Sequence, residues 1–248
     1  MTIEQIRTVT VGKGSGTMVQ SNYVFVLIET DSGLRGLGEG FHSLDEPIAA
    51  SVSKFARLLI GEDPGAVTRN WQRVYRGLRY PLGTAELSAL SAIEHALWDI
   101  AGKQMGMPIF RLLGGPTRDR IRLYSGLKAD GSDPAVAATK VVARGFGALK
   151  FSAQPPDYAS IGEHEVIHKA VARVRAVHII QPEPTANGGI LETFKLAAMA
   201  ETAHIVVAPH QACSPVSLLV NAHIDAAIPN FLIQEQIDQS LGLSLIHI

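Results

Sequence analysis

After the turn cluster Gly114-Gly115-Pro116, strand-like and helix-like stretches alternate along the chain, and this alternation constrains the fold more than any other feature. "IRLYSG" (Ile121 to Gly126) reads as a strand, and Pro134 to Arg144 as an Ala/Val-rich helix ending at Gly145. "ALKFS" (Ala148 to Ser152) is a second strand, and Ser160-Ile161-Gly162-Glu163 is a capping-box pattern opening a helix that runs through Val177. "HIIQP" is a third strand, Gly189 to Thr202 a helix, and "HIVVAP" (His204 to Pro209) a fourth strand. Val216 to Ile224 is a short helix and "FLIQEQ" (Phe231 to Gln236) a fifth strand. Such alternation indicates parallel βα units, in a barrel more readily than an open sheet. Eight units in a closed barrel need roughly 250 residues. About 130 follow the turn cluster, holding five strands. A closed barrel is not expected.

One connection is anomalous. In "KAVARVRAVHIIQPEPTANGG" (Lys169 to Gly189) the helix ending at Val177 passes directly into the strand at His178, with no Gly, Asn, Asp or Pro between them. Helix-to-strand connections usually take two to six residues, often with Gly just past the helix end.

Upstream, "IEQIRTVTV" and "SNYVFVLIETDSGLRGLGEG" (Ser21 to Gly40) predict a small antiparallel sheet with a turn at Asp31-Ser32-Gly33. "GKGSG" (Gly12 to Gly16) lacks the spacing of a phosphate-binding loop and opens no helix, so it reads as a flexible loop. From Leu87 to Lys103 the period changes: Leu90, Ile93, Leu97 and Ile100 form one stripe, flanked by Ala89, Ala92 and Ala96. That is a buried-face helix stopping before Gly106 and Pro108.

With 46% hydrophobic and 18% charged residues, the composition is that of a globular chain, and the net charge of −1 gives no footprint for nucleic acid or an anionic membrane. Cys213 is the single cysteine, which excludes an intrachain disulfide and suits a reducing compartment. "MTIEQIRTVTV" lacks the basic and apolar regions of a signal peptide, and no apolar run reaches membrane-spanning length. A cytoplasmic location is expected.

"SALSAIEHALWDIAGKQMGMPIFRLLGG" (Ser88 to Gly115) resembles the signature helix of the mandelate racemase/muconate lactonizing enzyme group of the enolase superfamily. Ala-Leu-Trp-Asp, Gly-Lys, Gly-x-Pro and Leu-Leu-Gly-Gly follow at that family's spacing. "GLGEG" resembles the end of its capping-domain sheet. "IIQPEPTANGGI", "VVAPH" and "FLIQEQ" resemble its last three barrel strands, most like the acid-sugar dehydratases of galactonate type. The resemblance implies an N-terminal α+β cap over residues 1–115 and a (β/α)7β TIM-type barrel domain over 116–241. Residues 242–248 read as a non-native or disordered tail, and "LSLIHI" as adapter read-through. It also implies a Mg²⁺ held by three carboxylates at the ends of strands three, four and five. The helix ending at Val177 resembles the one after strand two, whereas "HIIQPE" resembles strand six. The barrel is therefore expected to lack strands three to five, three units of roughly 30 residues each, across a junction at 177/178. The segment after strand eight is also expected to be missing. The metal ligands are then absent from this chain.

The resemblance assigns the remaining site. His210 in "VAPHQ" stands where the dehydratases carry a histidine base, at the end of strand seven. Glu183 in "QPE" stands where a carboxylate, more often Asp, orients that imidazole. Glu235 in "IQEQ" matches the acidic position of strand eight, expected to bind or protonate the carboxylate or enediolate. Lys150 matches the first lysine of the strand-two Lys-x-Lys pattern, as a contact to the substrate carboxylate or the partner of a barrel acid. The second lysine, the opposite-face base in racemases, is Ser152 here, and a hydroxyl cannot take that proton unaided. One base favours dehydration over racemisation. His42 follows the cap sheet and is a candidate for substrate specificity, or a surface-loop histidine.

The implied family activity is Mg²⁺-dependent dehydration of a sugar acid, by a homo-oligomer, through abstraction of the proton α to the carboxylate. This chain is expected to be inactive for want of metal ligands. Two alternatives stand beside that reading. One is a non-catalytic fragment associating through open barrel edges. The other is a zinc peptidase built on "HEVIH", in which His164 and His168 share a helix face and Glu165 acts as base.

Overall fold

The computed structural model describes residues 1–12, 22–42, 44–78, 81–126, 134–146, 148–150, 179–202 and 204–236. The junction at 177/178, the "HEVIH" segment, Ser152, the capping-box pattern at Ser160, most of "GKGSG" and the 242–248 tail lie outside these residues.

Three antiparallel strands open the chain: β1 (Ile3–Gly12), β2 (Asn22–Thr30) and β3 (Arg35–Gly40). Strict alternation in β2 buries Val24, Val26, Ile28 and Thr30 on one face. Against that face lie α1 (Asp45–Leu59), α2 (Val67–Arg76) and α3 (Thr84–Met105). The stripe Leu90, Ile93, Leu97 and Ile100 on α3 is at most 1% exposed and forms the centre of this core. Closeness requires the glycines of "GLGEG": a Cβ on Gly36 would lie 2.1 Å from the Ala96 carbonyl oxygen, and one on Gly38 1.9 Å from that of Ala92. α3 ends at Gly106 in the left-handed region, and a one-turn helix, α4 (Ile109–Leu112), follows. The sequence reading names only α3 of the three cap helices. Yet Ile48, Val52, Phe55 and Leu59 on α1 have helical spacing and are buried.

Beyond Gly115-Pro116, a cis peptide, the strands are parallel. They are β4 (Leu123–Gly126), β5 (Leu149–Lys150), β6 (Ile179–Ile180), β7 (Val206–Val207) and β8 (Gln234–Gln236). The helices among them are α5 (Pro134–Ala143), α6 (Ile190–Thr202) and α7 (Pro215–Ala227). Ladders run β5-β4-β8 and β6-β7. A parallel bridge from Val207 to Phe231, with Leu232 N–H donating to the Val207 carbonyl at 2.8 Å, joins the two sets. The combined order is β5-β4-β8-β7-β6. β4 and β8, first and last of these strands along the chain, are thus neighbours. Among the described residues no ladder joins β5 to β6.

The cap sits on the loops that follow β6 and β7. The Trp71 indole N–H donates to the Gly188 carbonyl at 2.8 Å, and Gly188 N–H donates to Ser91 Oγ at 2.9 Å. Glu39 accepts from Ser214 N–H (2.9 Å), Ser214 Oγ (2.6 Å) and Ser217 N–H (3.0 Å) at the start of α7.

Candidate active site

Parallel strands end together, and the polar residues singled out in the barrel gather at those ends. Beyond β6 and β7 the ladder continues as Ala208 N–H to the Ile180 carbonyl and His210 N–H to the Pro182 carbonyl, each 3.0 Å. Those two bonds set Glu183 and His210 side by side. His210 Nδ1 lies 2.7 Å from Glu183 Oε2. An ionised carboxylate only accepts, so this contact suits the neutral ring with its proton on Nδ1, the tautomer in which Nε2 presents its lone pair. That Nε2 is 4.0 Å from Glu235 Oε2, beyond hydrogen-bond reach.

Glu235, on β8, is 4% exposed and holds Lys150 of β5 through both oxygens, at 2.8 and 3.0 Å. Gln211 N–H donates to it at 3.3 Å. Of the two roles open to Lys150 in the sequence, the geometry supplies pairing with a barrel acid. Tyr124, on β4, accepts from Gln181 Nε2 at 2.8 Å. Burial, followed by the nearby Glu235 charge, raises its hydroxyl pKa well above the ordinary value.

His42 belongs to a different cluster. Its ring stacks on Phe41, with centroids 4.6 Å apart, and its backbone lies against Cys213. Four of the five singled-out residues thus meet at the strand ends, and His42 lies on the cap side.

Several neighbours of the site escape sequence reasoning. Thr185 donates to Glu183 Oε1 from its hydroxyl (2.6 Å) and its N–H (3.1 Å). Asn221 Nδ2 donates to the His210 carbonyl at 3.0 Å. Glu39 and Glu94 are buried carboxyls at the cap–barrel contact, each pushed up to about 7 chiefly by burial. His95, next to Glu94 on α3, is pushed down to about 4 by burial. The carbonyls of Pro184 and Glu39 lie alongside its ring, but neither nitrogen meets hydrogen-bond geometry. Burial pushes the Cys213 thiol up to about 12. The one hint in the sequence is Thr185 itself, two residues past Glu183, a spacing at which a short polar side chain can fold back on a turn.

Residues 3–114 match the family model described as mandelate racemase/muconate lactonizing enzyme, N-terminal domain, and residues 163–245 the one described as enolase C-terminal domain-like. D-galactonate dehydratase of Ralstonia pickettii is 29% identical over 304 residues, covering 89% of this chain and 79% of that protein. Two crystal structures share the fold. An enolase from Agrobacterium radiobacter, bound to sodium and L-malate, superposes with a TM-score of 0.80 at 23% identity, covering 95% of this chain and 80% of that one. A mandelate racemase/muconate lactonizing enzyme from a Sulfitobacter species gives 0.81 at 23% identity, covering 97% and 86%. No described helix is long and apolar enough to cross a membrane.

Proposed function

Since this chain belongs to the mandelate racemase/muconate lactonizing enzyme group of the enolase superfamily, we propose that it derives from a sugar-acid dehydratase whose base is His210. The observation carrying this reading is the 2.7 Å contact between His210 Nδ1 and Glu183 Oε2. Glu183 fixes the tautomer that leaves Nε2 free to accept the proton next to the substrate carboxylate, and stabilises the imidazolium that results. Glu235, screened by Lys150, faces Nε2 from the next strand and is assigned to the substrate carboxylate or its enediolate. Lys150 is assigned to holding Glu235, and His42, from the cap side, to substrate binding. With a single base, proton removal from one face followed by loss of a β-hydroxyl fits better than racemisation.

The family's Mg²⁺ does not fit the residues described. The two carboxylates at the strand ends are engaged, Glu183 by His210 and Thr185, and Glu235 by Lys150. Among the described residues no group of three or more His, Cys, Asp or Glu is placed to hold an ion. A C–H beside a carboxylate is too weakly acidic for a side-chain base without charge neutralisation. The chain as it stands is therefore proposed to be a non-catalytic relic of such an enzyme, lacking barrel units three to five. Two observations support that gap. Among the described residues, the order β5-β4-β8-β7-β6 leaves open the place between β5 and β6. The Ralstonia alignment spans 304 residues, yet 89% of 248 is about 221, so some 80 positions have no counterpart here. Three βα units at roughly 30 residues each would occupy a gap of that size.

The test is a graft. The purified chain, assayed with D-galactonate and other sugar acids in Mg²⁺, is expected to release no 2-keto-3-deoxy acid. Inserting the corresponding Ralstonia segment between residues 177 and 178 is expected to restore turnover, and His210→Asn to abolish it. Turnover by the ungrafted chain would refute its inactivity; an active His210→Asn graft would refute the base.

A further inference from the structure

We infer that Thr185 is a positioning residue, holding the Glu183 carboxylate in the one orientation that sets the His210 tautomer. The inference rests on the His210–Glu183 reading and extends it by one shell of contacts. A carboxylate on two rotatable bonds can swing either oxygen, or neither, toward an imidazole. Here Oε1 is tied back to the chain by two donors of one residue, the Thr185 N–H at 3.1 Å and its hydroxyl at 2.6 Å. With Oε1 held, Oε2 is left pointing at His210 Nδ1, 2.7 Å away.

The hydroxyl's own geometry is equally determined. A threonine has one O–H proton, and the contact to Glu183 uses it. The second contact of Thr185 Oγ1, to Cys213 Sγ at 3.5 Å, must then run the other way, with the thiol donating. Burial favours the protonated thiol at that place. A directional chain follows: Cys213 S–H to Thr185 Oγ1, Thr185 O–H to Glu183 Oε1, and His210 Nδ1–H to Glu183 Oε2. Thr185 and Cys213 are both fully buried, so water does not replace either donor. Asn221 and Pro182 fix the His210 backbone from the other side, through its carbonyl and N–H. The imidazole has a fixed pivot and, among the described residues, one hydrogen-bond partner, which Thr185 aims.

The experiment reads the tautomer, not turnover, on the full chain. Ring ¹⁵N shifts of His210, above the pH at which the ring is protonated, give the populations of the Nδ1–H and Nε2–H forms. Thr185→Val keeps the shape and removes the hydroxyl; its Nε2–H population is expected to rise at least about fivefold, since a hydrogen bond to an ionised carboxylate is worth more than a neutral one. Thr185→Ser, which keeps the donor and tolerates folding best, is expected to match the parent. Glu183→Gln is expected to shift the populations further than Thr185→Val. If Thr185→Val leaves them unchanged while Glu183→Gln moves them, the role of Thr185 is overturned and the dyad stands. If Thr185→Ser moves them as far as Thr185→Val, packing and not the hydroxyl is responsible, which also overturns it. If Glu183→Gln has no effect, the dyad itself falls.

Discussion

Replacing Glu94 by Gln tests how the cap and the barrel elements are joined. The carboxyl is 1% exposed and lies under the first turn of α6. It accepts from Ile190 N–H (2.8 Å), Leu191 N–H (3.0 Å) and the Trp98 indole (2.8 Å). Burial outweighs these three donors and raises its pKa from 4.5 to about 7. Because the folded value exceeds the unfolded one, the stability contributed by the protonated form is fully present below 4.5 and is lost as pH rises through 7. At ~1.4 kcal/mol per tenfold step, the ceiling of that loss is ~3 kcal/mol. Glutamine cannot ionise, so it removes this dependence. It also turns an NH₂ toward backbone donors, a fixed cost of about 1–3 kcal/mol. Glu94→Gln is therefore expected to be the less stable chain at pH 5, with the gap closing by up to ~3 kcal/mol at pH 8. Other buried groups titrate in the same window: Glu39 in the same direction, His95 in the opposite one because its pKa is lowered. The difference between the two chains cancels both. Urea unfolding followed by circular dichroism at the two pH values measures it. A gap that is equal at pH 5 and pH 8 would refute the reasoning.

Lys150→Met strands the buried Glu235 carboxylate and is expected to cost about 2–3 kcal/mol in urea unfolding, most of it recovered in Lys150→Met/Glu235→Gln. No recovery in the double variant would mean that packing of the lysine stem, and not charge, is responsible. Gly38→Ala would drive a Cβ into the α3 backbone at Ala92 and is expected to cost at least ~3 kcal/mol, read as loss of the cooperative thermal transition. A transition temperature matching the parent would show that β3 and α3 are less tightly apposed than this.

What could be read from the sequence was whatever has a local period. The stripe Leu90, Ile93, Leu97 and Ile100 announces a buried helix face, and it is buried. The alternation after Pro116 announces parallel units, and the described strands are parallel. The pairing of Glu183 with His210 has no such period. The two lie 27 residues apart, and only the resemblance put them together at the sequence level. What joins them physically is a ladder between β6 and β7 that continues past both strands. Lys150 and Glu235 are 85 residues apart, and nothing in either segment says that they share a site. Tyr124 and Glu39 carry no signal in the sequence for a related reason, and Thr185 only its spacing from Glu183. Each matters through a partner or a degree of burial that depends on the assembled fold. The ladder of β7, two residues, is shorter than the six-residue strand read there, because it pairs with β6 only at Val206 and Val207.

The strand order carries one more step. Right-handed βα units normally set consecutive parallel strands beside each other. Here β4–β5, β6–β7 and β7–β8 obey that expectation, the last through the Val207–Phe231 bridge. The β4–β8 ladder does not follow from it in an open sheet, because three strands intervene in sequence. It does follow in a ring, whose first and last strands must meet. Among the described residues, a ring interrupted between β5 and β6 accounts for the three parallel ladders and the Val207–Phe231 bridge. That break lies somewhere between Lys150 and Ile179, the interval of sequence in which a helix reading passes into a strand with no turn residue between. The junction expected from the sequence at 177/178 falls within that interval, outside the described residues. The strand ends on either side of it still present Lys150 and Glu235, and Glu183 and His210, as two pairs facing one mouth.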